Sequence, residues 1–273
     1  MHSSLKRRLD RMEIILARQR SKPHSVLARL AANPAELMAT AGMPPDPWQD
    51  RLLRSDANRM LLLCCRQAGK STVAGALALH MALLKPQSLV LLLSPSMRQS
   101  GELFRKVMDL FNRLNRPAGV LAESALRLEL TNGSRVISLP GDEKNIRGFS
   151  GVSLLVVDEA ARVEDRLYYS VRPMLAVSGG RLVALTTPFG QRGWFFEAWH
   201  GTEDWERVKI TAAECPRISA AFLAEEKVAL GERWYNQEYQ VDFVEAIGSV
   251  FSAESIEAAF SGRVQPLFVP VDM

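Results

Sequence analysis

The chain has only three cysteines in 273 residues. Cys64 and Cys65 are neighbours, which rarely bridge, and Cys215 can serve only one of them, so a disulfide framework is excluded. Long apolar runs are also missing. "SLVLLLS" at 88–94 falls far short of the roughly 20 residues that a membrane span requires. "IILA" at 14–17 is too short for a signal-peptide core and is followed at once by Arg18 and Arg20. There is no internal repeat and no low-complexity tract. The expectation is a soluble, cytoplasmic protein in a reducing compartment. Charge is lacking too: the net +4 is mild, fitting a polyanion binder and equally many proteins that bind none. At 47% hydrophobic and 23% charged residues the chain is of globular type, long enough for one substantial core.

The first stretch, to residue 42, is basic (Lys6, Arg7, Arg8, Arg11, Arg18, Arg20, Lys22) and then rich in alanine and leucine. It reads as a few short helices outside the main core, whose cations form either a solvated face or a DNA- or partner-binding arm. "GMPPDPW" at 42–48 marks the start of the main domain, expected over 43–245, with 246–273 as a linker-like tail. Buried strands are expected at 60–65, 89–94, 153–159 and 181–187, with helices following the first two, at 72–84 and from 97. "LRLEL" and "RVISL", joined by "TNGS", predict a hairpin, because Asn-Gly between β-patterned runs favours a tight turn. Continuous apolar strands separated by helices imply a mostly parallel sheet covered on both faces.

"LLLCCRQAGKST" at 61–72 ends as a phosphate-binding loop should, with Gly69, Lys70 and Ser71, but the first glycine of G-x-x-x-x-G-K-[ST] is replaced by Cys64. That matters only if position 64 needs an unusual backbone angle, and Cys64 is equally the last residue of the strand. The loop, from Gln67 and Ala68 through Gly69 to Thr72, would turn backbone N–H groups and a helix N-terminus toward a phosphate chain. Lys70 would pair with the outer phosphates of ATP, and Ser71 would bind Mg²⁺. "LLVVDE" then ends a second buried strand in two acids. Asp158 would order the Mg²⁺ shell and Glu159 would polarise an attacking water, which points to hydrolysis rather than transfer. Around this pair several residues have two readings. Trp48 and Gln49 either meet the adenine base or serve as a core anchor and a surface residue. Arg66 and Arg147 reach a γ-phosphate or an acidic neighbour, and Thr186 and Thr187 sense the γ-phosphate or cap a strand end. Arg98, Arg105, Lys106, Arg113 and Arg116 form a basic set that contacts DNA phosphates or is a solvated face.

Taken together, "PDPWQDRLL", "CRQAGKST", "LSPSMRQSGELFRKV", "IRGFSGVSLLVVDEAARV", "VRPMLAVSGGRLVALTTPFGQRG" and "WYNQEYQVDFVEAIGSVF" resemble the ATPase domain of the large terminase subunit of tailed bacteriophages, over roughly residues 40–260. The resemblance implies an α/β fold, a P-loop NTPase of the ASCE type with a mostly parallel sheet flanked by helices and a small N-terminal helical segment. It makes the missing first glycine a family trait. It also implies that Gln49 reads adenine, Arg66 acts on the γ-phosphate, and Thr186 and Thr187 couple hydrolysis to movement. The implied partners are double-stranded DNA, a portal protein and a small terminase subunit, in a homo-oligomeric ring inside the bacterial host, with no membrane. Such subunits continue into a nuclease domain with clustered acids. Asp242, Glu245, Glu254 and Glu257 lack strand context for such a site, so no nuclease activity is expected of this sequence. Two alternatives stand beside a packaging motor: a helicase-like DNA-dependent ATPase, for which no second motor domain is present, and a truncated prophage remnant that binds nucleotide without productive packaging.

Overall fold

The computed structural model describes residues 26–141, 146, 148–244, 255 and 258–259. The basic residues before position 26, Arg147 and nearly all of the tail after 244 lie outside the described residues.

One sheet of eight strands organises the chain, in the order β3-β4-β5-β2-β6-β7-β1-β8. Its centre is parallel: β1 (Arg59–Cys64) lies between β7 (Arg181–Thr186) and β8 (Glu206–Ile210), and β2 (Leu89–Ser94) lies between β5 (Arg135–Pro140) and β6 (Leu154–Asp158). At one edge, β3 (Val120–Glu123) and β4 (Arg127–Leu130) add antiparallel pairings, and β4–β5 is the hairpin expected from "TNGS". Because β7 pairs with both β6 and β1, the strand carrying the acidic pair and the strand leading into the loop are separated by one inserted strand. That order is the ASCE arrangement expected.

The apolar runs are continuous because both faces of the sheet are covered. Met60, Leu62 and Cys64 of β1 face one core with Val90 and Leu92 of β2, while Leu61 and Leu63 face the other with Leu91 and Leu93. On the first face pack α3 (Lys70–Leu84) and α4 (Met97–Arg113), preceded in the chain by α1 (Glu36–Thr40) and α2 (Pro47–Arg54). α4 presents Leu103, Phe104, Val107, Leu110 and Phe111 inward, the helical spacing of an amphipathic element, and Ser96 caps it by accepting from the Gln99 N–H. On the opposite face lie α5 (Asp165–Val171) and α6 (Trp194–His200), where Tyr168 and Trp194 stack with ring centroids 3.8 Å apart. α7 (Ala220–Tyr235) is broken at Gly231, whose φ of 73° and ψ of 164° are not helical, and runs on into a π-helical turn, Asn236–Gln240. None of the described helices is long and apolar enough to cross a membrane.

One expectation is corrected. The described part of the N-terminal segment, from residue 26, does not stand outside the core. Leu30, Leu37, Met38 and Ala41 are buried in the same cluster as α3 and α4, and the Leu30 carbonyl lies 3.1 Å from His80 Nε2 on α3. The apolar side of α3 exceeds what the sheet and α4 cover, and these short helices cover the remainder.

Gly75, in the middle of α3, lets it approach α4 closely. A Cβ there would meet Lys106 Cβ and the Val107 nitrogen, each at 3.2 Å. Elsewhere in a helix, glycine to alanine gains about 1 kcal/mol. Here the contacts are backbone and the root of a side chain, which yield little, and overpacking costs about 1–3 kcal/mol. Gly75→Ala is therefore expected to lower stability by about 1 kcal/mol net, read from the denaturant midpoint; a gain in stability would contradict this packing.

Candidate active site

The C-terminal ends of parallel strands are where such sheets place ligands, and here β1, β6 and β7 deliver the expected residues together. Cys64 is the last residue of β1 and is fully buried, so position 64 needs no glycine. Its thiol is pushed up to about 12 by burial, which leaves it inert. The left-handed angles fall later, at Gln67 (φ 62°) and Gly69 (φ 90°). Alternation of left- and right-handed residues turns successive N–H groups to one side, forming an anion-binding concavity. α3 begins immediately after Gly69, so the N–H groups of Lys70 and Ser71 at its start precede the intrahelical ladder and add to that concavity, while the Thr72 N–H already donates to Gly69 O at 3.1 Å. A left-handed non-glycine residue costs about 1–2 kcal/mol, and Gln67 is held there by its neighbours: the Cys65 N–H donates to Ile210 O at 2.8 Å and the Arg66 N–H to Glu238 O at 2.9 Å. Ala68 is fully buried.

Lys70 is buried, and its Nζ donates to the Cys65 carbonyl at 3.3 Å. Ser71 Oγ donates to Asp158 Oδ2 at 3.1 Å, which joins the loop to the end of β6. Asp158 is pushed up to about 6, chiefly by burial and then by the neighbouring Glu159 charge, with Lys70 and the Ser71 hydrogen bond opposing. Glu159 leaves the strand with φ 50° and ψ 43°, its N–H donating to Asp158 Oδ1 at 3.0 Å. This sharp turn ends β6 and starts a 3₁₀ turn, Ala160–Arg162.

Other candidates fall less simply. Trp48 is 2% exposed and packs in the core beside Leu52 and Leu53, so its expected contact with a base is corrected to that of a core anchor: the N-terminal turn of α2 points it inward. Gln49 is buried rather than at the surface. Its Oε1 accepts from the Asp46 N–H at 2.9 Å, closing the cap of α2, and its Nε2 donates to the loop carbonyl of Ala68 at 3.5 Å. In this arrangement its amide braces the loop. Arg66 points outward, 67% exposed, 3.5 Å from Glu238. Thr186 accepts from the Ala161 N–H at 3.3 Å and donates to Thr187 O at 2.7 Å. Thr187 Oγ1 accepts from Arg162 at 3.3 Å. The threonine hydroxyls thus tie the end of β7 to the turn after Glu159. In the basic set on and after α4, Arg105 pairs with Glu102 and Arg116 with Glu123.

Arg217 carries no sequence signal, yet it grips the same loop. It donates to Asp46 at 2.6 Å and to Ala68 O at 2.9 Å, a clamp formed only by folding residues far apart in sequence against each other.

Comparison with known proteins bears on this geometry. Residues 61–258 match the family described as terminase large subunit, T4likevirus-type, N-terminal. The chain is 24% identical over 249 residues to the terminase large subunit of Thermus phage G20c, covering 77% of this chain and 51% of that protein. Against the terminase large subunit of Escherichia phage T5 the figures are 23% over 227 residues, 79% and 51%. The chain thus spans about half the length of the curated relatives it matches. Among solved structures, the large terminase ATPase domain of Thermus phage P74-26 superposes with a TM-score of 0.67 at 22% identity, over 76% of this chain and 97% of that one. The large terminase of another thermophilic bacteriophage, in complex with ADP, gives 0.60 at 15%, over 73% and 54%. These likenesses show a shared fold. The family match extends from β1 through the loop, the acidic pair and α7, and the chain belongs to the terminase large subunit family, corresponding to its N-terminal part.

Proposed function

We propose that this chain is the ATP-hydrolysing motor of a phage DNA-packaging machine, converting hydrolysis into movement of double-stranded DNA into a capsid. The observation that carries this reading is the Ser71–Asp158 hydrogen bond at 3.1 Å. It makes one site of two motifs that lie far apart in sequence, with Lys70 and Glu159 on either side. The relatives' names support the packaging context, and the portal protein, small subunit and ring assembly belong to the same proposal.

The donor set fits Mg²⁺: a hydroxyl and a buried carboxylate are hard oxygen ligands, already adjacent. When bound, Mg²⁺ neutralises charge on the outer phosphates of ATP. The chain's own residues do the rest. The N–H groups of residues 67–71 orient the phosphates, Lys70 swings from the Cys65 carbonyl to the outermost of them, and Glu159 takes the proton of the attacking water. The resting bond of Lys70 is to a neutral carbonyl, which a phosphate out-competes because it adds the Coulomb attraction of a full opposite charge.

Phosphate release from ATP by the purified chain with double-stranded DNA present is expected to require Mg²⁺ and to stop on chelation. Since Asp158 stands at about 6, a proton competes with the metal below that pH. Apparent Mg²⁺ affinity should fall about tenfold per unit as pH drops below 6 and level off above it. No release under these conditions contradicts the proposed activity, and a pH-independent Mg²⁺ affinity removes Asp158 from the metal site.

A further inference from the structure

Glu159, the carboxylate cast as the base, is not free. Its Oε2 accepts from Arg162 Nη1 at 2.8 Å, and the same nitrogen donates to Thr187 Oγ1 at 3.3 Å. The guanidinium also lies over Phe189, 4.6 Å from the ring centroid. Neither partner of the ion pair is fully exposed, at 24% for the Glu159 side chain and 34% for Arg162. One cation therefore touches the base, the residue that follows β7, and an aromatic ring two residues further on.

This geometry has a chemical consequence. A carboxylate oxygen engaged by a guanidinium has committed a lone pair that a base must offer to a water's proton, and the short 3₁₀ turn, with the Arg162 N–H donating to Glu159 O at 2.8 Å, keeps the two residues side by side. Movement of Arg162 opens the pair, and Arg162 is held as well by Thr187 and Phe189. Displacing the segment after β7 would withdraw two of its three partners. Arg162 and Phe189 also line a cavity of about 420 Å³ with Arg66, Trp234 and Gln237, so the guanidinium has room to leave Glu159.

We propose that Arg162 is a positioning residue that latches Glu159 out of its working orientation and ties its release to the segment following β7. This rests on the reading of Glu159 as the base. The latch has the strength of a partly exposed ion pair with added support, so a minority of molecules hold the base free at any time. Turnover is then scaled by that fraction.

The test is ATP turnover without and with double-stranded DNA for the wild type, Arg162→Ala, Arg162→Lys, Phe189→Ala and Glu159→Gln, each checked by thermal melting. Arg162→Ala is expected to raise DNA-free kcat about three- to tenfold with KM changed less than about twofold, and to shrink the stimulation by DNA. Phe189→Ala should shift kcat the same way by less, and Arg162→Lys, which keeps the charge but not the planar fork, should fall between wild type and alanine. The double variant Arg162→Ala/Glu159→Gln should be inactive. A folded Arg162→Ala protein with unchanged or lower DNA-free kcat, alongside an inactive Glu159→Gln, overturns the latch and leaves the base assignment standing. Wild-type-like turnover in Glu159→Gln overturns the base assignment itself.

Discussion

Lys70→Ala is expected to lower ATP turnover by about 10²–10³-fold, the usual cost of removing one preorganised charge from the transition state. The side chain sits in the first turn of α3 with its ammonium 3.3 Å from the Cys65 carbonyl, within reach of whatever the concavity holds. Two losses combine. Outer phosphates lose a charge-assisted hydrogen bond of about 1.5–3 kcal/mol. Asp158 also loses a cation that holds its proton affinity down, so it rises further above its ordinary range and binds a divalent cation less well at neutral pH. Nucleotide affinity should therefore fall together with kcat. The fold should persist, because alanine is a strong helix former and leaves the caps of α3 untouched. Phosphate release and binding of a fluorescent ATP analogue check the two effects, and a variant that binds and turns over ATP like the wild type removes Lys70 from the site.

Glu159→Gln has the opposite signature. Loss of a general base costs about 10²–10⁴-fold in kcat, yet nucleotide binding should be retained or tightened. Glu159 is one of the causes that raise Asp158, and a neutral amide removes that repulsion, which frees Asp158 to ionise and hold metal at lower pH. The amide keeps the shape and accepts the left-handed backbone at φ 50° as the acid does. Stability should change by less than about 1 kcal/mol, since the lost ion pair with Arg162 is partly solvated. A kcat deficit accompanied by an equal loss of affinity would point to a collapsed site rather than a missing base.

Much of this was legible in the sequence because local patterns carry it. β1, β2, β6 and β7 are continuous apolar runs, and the hairpin has its Asn-Gly turn. The loop and the acidic pair are bounded by a strand and a helix or turn that the pattern identifies. The question at Cys64 is answered by the backbone: the residue ends a strand, and the loop takes its unusual angles at Gln67 and Gly69. What was not legible depends on contacts between distant segments. Arg162 reads as one more residue of a turn until Thr187 and Phe189 arrive beside it. Arg217 has no motif, and its role exists only because residues near 46, 68 and 217 meet. Trp48 was ambiguous because an aromatic at the start of a helix can face a base or the core, and only the packing of α2 decides. The short helices after residue 26 read as lying outside the core because their own apolar faces are small; the uncovered side of α3 is what recruits them.

The most direct test of the central claim, that the loop after β1 and the end of β6 form one hydrolytic site, is phosphate release from ATP with Mg²⁺ and double-stranded DNA, measured in parallel for the wild type, Lys70→Ala and Glu159→Gln. Release by the wild type alone is expected, with nucleotide still bound by Glu159→Gln; equal release by all three proteins would contradict a single hydrolytic site.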